Sequence, residues 1–112
     1  MKYQKTSRQL YEQKIDQLVE ILKTLNPEKI ILFGSAARGR IQGDSDIDLC
    51  IIKKGDRLKI KQKIWDVLRK GGYGWEIEPD VHVYNPKTYL DWLNRKDPFI
   101  EEVEKGKICY ER

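Results

Sequence analysis

With 112 residues, 36% of them charged, and a formal net charge of +4, this chain can build one hydrophobic core of modest size. It is too short for a catalytic domain joined to a separate acceptor-binding domain, so residues 1–112 are expected to form a single domain. No apolar run reaches the length of a membrane span, and Met1-Lys2-Tyr3-Gln4-Lys5 lacks the hydrophobic segment of a secretory leader, so a cytoplasmic protein is expected.

The first element is an amphipathic helix between Ser7 and Leu25, because Tyr11, Ile15, Leu18, Leu22 and Leu25 recur at steps of four and three. Asn26-Pro27 ends it, since proline restricts the residue before it and cannot continue the hydrogen-bond ladder. Lys29 to Phe33 is a short run rich in β-branched residues, bounded by Pro27 and Gly34, and reads as a buried strand. After Gly34 come the small residues Ala36, Ala37 and Gly39, which allow close approach of backbone to a ligand, and Ser35 is placed to cap a short helix there. A second strand follows from Asp46-Ile47-Asp48 to Ile52.

Lys53-Lys54-Gly55-Asp56 reads as a turn with Asp56 as a helix cap, and Leu58, Ile64, Val67 and Leu68 mark a helix to about Lys70. The cluster Gly71-Gly72-Tyr73-Gly74 follows a helix instead of opening one, so it reads as a C-cap and turn and not as a nucleotide loop. Trp75 to Tyr84 is expected to be a third strand, with Pro79 as a local irregularity favouring an edge or a bulge. Asn85-Pro86 opens a helix with Tyr89, Leu90, Trp92 and Leu93 as its apolar face. Pro98 opens another, carried by Phe99, Ile100 and Val103 to a C-cap at Gly106, and Lys107 to Tyr110 adds a short strand.

The chemistry concentrates around the first two strands. Asp46 and Asp48 stand two apart on a strand, so alternation puts both carboxylates on one face, about 6.6 Å apart along the chain. Ile47 and Leu49 anchor the opposite face. Two such carboxylates suit hard divalent cations, which phosphoryl and nucleotidyl transfer require to hold and neutralise a triphosphate. On the third strand Val81 and Val83 face the core, which leaves Asp80, His82 and Tyr84 on the other face and offers Asp80 as a third carboxylate, with Glu76 and Glu78 as competitors. Asp44 and Ser45 read as loop residues supporting the aspartate pair.

His82, the lone histidine, is read as a hydrogen-bonded structural residue and left out of the site. Arg38 reads equally well as a phosphate or partner contact and as a solvated side chain. Cys50 and Cys109, with no ligand-like spacing, are read as free buried thiols. Between Lys53 and Lys70 eight basic residues face two acids, Asp56 and Asp66. That segment is first a solvated helix face, and in its sharper reading an electrostatic footprint for RNA or an acidic partner.

Gly34-Ser35, ten residues, then Asp46-x-Asp48 resembles the signature of the polymerase-β-like nucleotidyltransferase superfamily. Phe33-Gly34-Ser35-Ala36-Ala37-Arg38-Gly39, Ser45-Asp46-Ile47-Asp48-Leu49 and the ending Gly106 to Glu111 look most like the minimal nucleotidyltransferases, or MNT proteins, found beside HEPN-domain toxins. The resemblance implies an α/β fold, a small mixed sheet of three to four strands with flanking helices. It implies that Gly34 and Ser35 bind the nucleotide phosphates, that Asp46, Asp48 and Asp80 are the catalytic and metal-binding residues for two Mg²⁺ ions, and that ATP is the substrate. It further implies an antitoxin that transfers AMP to a hydroxyl, a tyrosine for preference, of a cognate HEPN ribonuclease toxin, in a hetero-complex. A non-catalytic partner-binding antitoxin and a transferase acting on a small molecule remain as alternatives.

Overall fold

The computed structural model describes residues 7–39 and 46–112, so the readings of Asp44 and Ser45 fall outside the described residues. A helix from Ser7 to Leu22 (α1) buries Tyr11, Leu18 and Leu22 along one side, as their spacing requires. A single 3-10 turn over Lys23–Leu25 then ends at Asn26 in the left-handed conformation, which asparagine tolerates better than most residues. The chain turns directly into β1 (Lys29–Phe33), followed by β2 (Ile47–Ile52), α2 (Arg57–Lys70), β3 (Pro79–Tyr84), α3 (Pro86–Asn94), α4 (Pro98–Glu104) and β4 (Lys107–Glu111).

The four strands form one mixed sheet in the order β3-β2-β1-β4. β1 runs antiparallel to both neighbours, and β2 and β3 are parallel because α2 carries the chain back across the sheet between them. Strand alternation sorts the side chains into two cores. Ile30, Leu32, Ile47, Leu49, Ile51 and Val83 pack with α1 and α2, while Ile31, Phe33, Cys50 and Ile52 pack with Tyr89, Ile100 and Val103 of α3 and α4. The sheet is thus covered on both faces, the α/β arrangement expected.

Asp56 caps α2 as expected, its carboxylate accepting from the Lys59 N–H at 2.9 Å. At the other end Gly72 (φ 72°) is the left-handed residue of a Schellman motif, in which the Gly72 N–H donates to Arg69 O and the Tyr73 N–H to Leu68 O. Tyr73 and Leu68 are both buried beneath it.

Several expectations are corrected. The third strand starts at Pro79 and not at Trp75. Proline has no N–H for a ladder and suits the first residue of a strand, and before it the chain turns so that Ile77 is buried and its carbonyl accepts from the Tyr73 hydroxyl. Leu58 does not join the core: α2 buries Ile60, Ile64 and Leu68, and Leu58, off that stripe, is 72% exposed. In α3, Tyr89 is buried and Leu93 partly so, whereas Leu90 and Trp92 are exposed because a short helix presents a narrow face to a core supplied mainly by α4. The cap of α4 is Lys105; Gly106 follows it, and a Cβ there would run into the Leu32 carbonyl. Cys50 is buried, but Cys109, on the edge strand β4, is only half-buried.

Candidate active site

The candidate residues gather at the end of the sheet where β1 stops and β2 and β3 begin. β1 delivers the chain to Gly34, which turns at φ 75°, a left-handed conformation that disfavours any residue with a Cβ. Phe33 pairs with Asp48 across the β1–β2 ladder, and a Cβ on Gly34 would press into the Asp48 carboxylate. Gly34 therefore has two physical reasons to be glycine, its own backbone and the space Asp48 occupies. The short helix expected after Ser35 is instead a run of turns: the Arg38 N–H donates to Gly34 O and Ser35 O, and the Gly39 N–H to Ala36 O. Gly39 at φ 71° ends it after a single turn.

Asp48 is half-buried and lies directly beside Asp80 in the parallel β2–β3 register. Burial raises the Asp48 carboxyl above its ordinary value, with further upward pushes from Asp80 and Asp46 and a partial opposing pull from His82. Carboxylates held this close, one of them half out of water, are poised for a positive charge. Asp46, just ahead of β2, is exposed. The structure brings Asp48, Asp80 and Gly34 together and places Asp46 close enough to be felt electrostatically. Among the described residues no group of three or more His, Cys, Asp or Glu is assembled tightly enough to hold a metal ion by itself. The Asp48–Asp80 pair nevertheless offers hard oxygen donors of the type that Mg²⁺ takes, a cation that completes its shell with water and substrate phosphates.

Of the competing carboxylates, Glu76 is engaged elsewhere and Glu78 lies ahead of the strand. Glu76 pairs with Lys14 of α1 at 2.6 Å, and that bond lowers its carboxyl below the ordinary value. Glu78 is exposed and precedes β3, its backbone carbonyl accepting from the Ile47 N–H at 3.0 Å. Arg38, which reads as a phosphate or partner contact or as a solvated side chain, pairs with Glu102 of α4. Both partners remain partly in water, so the pair contributes little stability but links the Gly34 turn to α4.

His82 is hydrogen-bonded as expected, and its partner is a site carboxylate: its Nε2 lies 3.3 Å from Asp80 Oδ2. Its ring sits against Phe33 and Phe99, with centroids 5.7 and 4.9 Å away. The signal available in the sequence was the spacing of two on one strand, which puts Asp80 and His82 on one face; the flanking aromatics come from β1 and α4 and are visible only once the chain is folded.

Against known proteins, the family model described as nucleotidyltransferase domain matches residues 15–108. The chain is 31% identical over 99 residues to a Methanocaldococcus jannaschii protein provisionally named a protein adenylyltransferase, a match covering 79% of this chain and 93% of that protein. A Sulfolobus solfataricus crystal structure, provisionally described as a nucleotidyltransferase, superposes with a TM-score of 0.59 at 18% identity, covering 100% of this chain and 93% of the other. The Cid1 poly(U) polymerase structure superposes with a TM-score of 0.54 at 21% identity, covering 85% of this chain and 36% of that longer one. At such identities these two superpositions speak for the fold alone.

Proposed function

This chain belongs to the nucleotidyltransferase domain family, and from that premise we propose that it transfers AMP from ATP to a hydroxyl of a partner protein. The partner in this reading is a HEPN-domain ribonuclease toxin, the hydroxyl is a tyrosine's, and the chain acts as its antitoxin. The observation that carries the transfer chemistry is Asp48 facing Asp80 in register beneath Gly34. The name of the Methanocaldococcus jannaschii relative supports a protein as acceptor.

In this reading Gly34 and Ser35 hold the triphosphate, because a turn without a bulky side chain lets phosphate approach the backbone. Asp46, Asp48 and Asp80 would hold two Mg²⁺ ions, whose contribution is to neutralise the triphosphate and the charge that develops on its oxygens. Asp80 stands on the acceptor side and takes the proton of the hydroxyl. The acceptor oxygen forms a bond to the α-phosphorus as the bond to the β-phosphate oxygen breaks in line, and pyrophosphate leaves. Asp48, half-buried, would hold the cations more strongly than an exposed carboxylate, because water screens it less.

The test uses ATP labelled in turn at the α- and γ-phosphate, with Mg²⁺ and the proposed HEPN-domain partner. Label from the α position on that protein, and none from the γ position, is the expected result. Label from the γ position, or on neither, would overturn the reading.

A further inference from the structure

His82 is the chain's single histidine, and its ring has little freedom. It stands on β3 beside the buried Cys50 of β2. The ring rests against Phe33 of β1 and Phe99 of α4, which meet each other edge to face at 5.4 Å. Phe33 is itself buried, and its backbone pairs with Asp48 in the β1–β2 ladder. The residue that braces the imidazole is therefore the one that leads into the Gly34 turn. Braced in this way, the ring turns Nε2 toward Asp80 Oδ2 at 3.3 Å. Asp80 by contrast has few restraints. It lies on an edge strand, its side chain is 53% exposed, and its neighbour in register is a second carboxylate, Asp48. Two like charges side by side push apart, so an Asp80 without a donor swings toward solvent.

An ionised carboxylate only accepts hydrogen bonds, so the ring nitrogen that faces it carries the proton. We propose that His82 is a positioning residue for nucleotidyl transfer: by donating from Nε2 to Oδ2 it holds the Asp80 carboxylate beside Asp48 and leaves Oδ1 for the reacting groups, an inference resting on the transfer reading above. The contact is long for a charge-assisted bond, and hydrogen bonds of this kind tighten when the reacting groups arrive. A role in packing alone needs a flat ring against Phe33 and Phe99 but no N–H; a positioning role needs the N–H. Phenylalanine supplies the first and glutamine the second, because the glutamine amide nitrogen lies as far along the side chain as Nε2 of histidine.

The test has two readouts. The first is pyrophosphate release with Mg²⁺, the proposed HEPN-domain partner and varied ATP. His82→Phe should lower kcat about 10–100-fold, the loss usual for a residue that orients a metal-binding group. Its KM for ATP should stay within about twofold of wild type, since the interaction removed serves the transition state, and His82→Gln should recover most of the lost kcat. The second readout is the imidazole tautomer, read by long-range proton–nitrogen NMR on isotope-labelled protein without metal at about pH 8, where an ordinary imidazole is neutral. One histidine gives one unambiguous set of signals. The wild type should show the Nε2–H form, and Asp80→Ala should shift those signals. Wild-type kcat in His82→Phe, equal losses in both His82 variants, an Nδ1–H tautomer, or signals that Asp80→Ala leaves in place would each overturn the proposal. A wild type that releases no pyrophosphate, yet shows the Nε2–H form and its response to Asp80→Ala, would uphold His82 as the residue that holds Asp80 and overturn the transfer reading instead.

Discussion

Replacing Gly34 by alanine perturbs backbone and site in one step. A residue with a Cβ at φ 75° loses about 1–2 kcal/mol relative to the right-handed region. For a domain of this size that corresponds to a drop of roughly 4–9 °C in unfolding midpoint. The added methyl also meets the Asp48 carboxylate, and of the two the side chain is freer to move. Asp48 must then swing from its place opposite Asp80, and a displacement of about 1 Å in a catalytic group lowers turnover about a hundredfold. Thermal unfolding followed by circular dichroism, with pyrophosphate release measured well below the midpoint, separates the two effects. Gly34→Ala with wild-type midpoint and wild-type turnover would refute both halves of the reasoning. A lowered midpoint with intact turnover would refute the placement of Asp48.

Gly106→Ala should lose about 1–3 kcal/mol of stability, since its Cβ meets the immovable Leu32 carbonyl, yet keep its turnover per folded molecule; urea unfolding and pyrophosphate release check it together. Asp48→Asn should abolish transfer and raise the unfolding midpoint of chelator-treated protein at pH 7. The folded protein holds the Asp48 proton more tightly than the unfolded chain does. This group's contribution is therefore complete below the unfolded carboxylate value of about 3.9 and is lost as pH rises through the folded value. The gap between variant and wild type should accordingly close on acidification, and a lower midpoint for the variant at pH 7 would contradict the shift. Asp80→Asn should bind ATP but lose most turnover while Glu78→Gln stays near wild type; the reverse pattern in a steady-state assay would make Glu78 the third carboxylate.

The elements legible in the sequence were those whose periodicity had one interpretation. Leu18 and Leu22 on a 3.6-residue stripe, and the apolar runs Lys29–Phe33 and Ile47–Ile52, left little freedom, and alternation already put Asp48 and Asp80 on a common sheet face. Local pattern does not contain pairing. That Asp48 lies beside Asp80 itself follows from the parallel β2–β3 register, which the α2 crossover sets over a long sequence separation. Trp75 reads as strand by propensity, but the Tyr73–Ile77 hydrogen bond bends the chain there. Leu58, Leu90 and Trp92 read as core by residue type, and their exposure shows that a core face is chosen by what packs against a helix. The contact between His82 and Asp80 joins neighbours on one strand face and agrees with reading His82 as a hydrogen-bonded residue, while the choice of Asp80 as its partner is visible only in the fold.

Intact-mass spectrometry of the proposed HEPN-domain partner, after incubation with ATP, Mg²⁺ and either wild type or the Asp46→Asn, Asp48→Asn double variant, tests the proposed AMP transfer most directly. The expected result is a partner heavier by whole AMP units with the wild type and unchanged with the double variant. An unmodified partner in both reactions, with its ribonuclease activity neutralised equally by both proteins, would contradict it and make stoichiometric binding the better explanation.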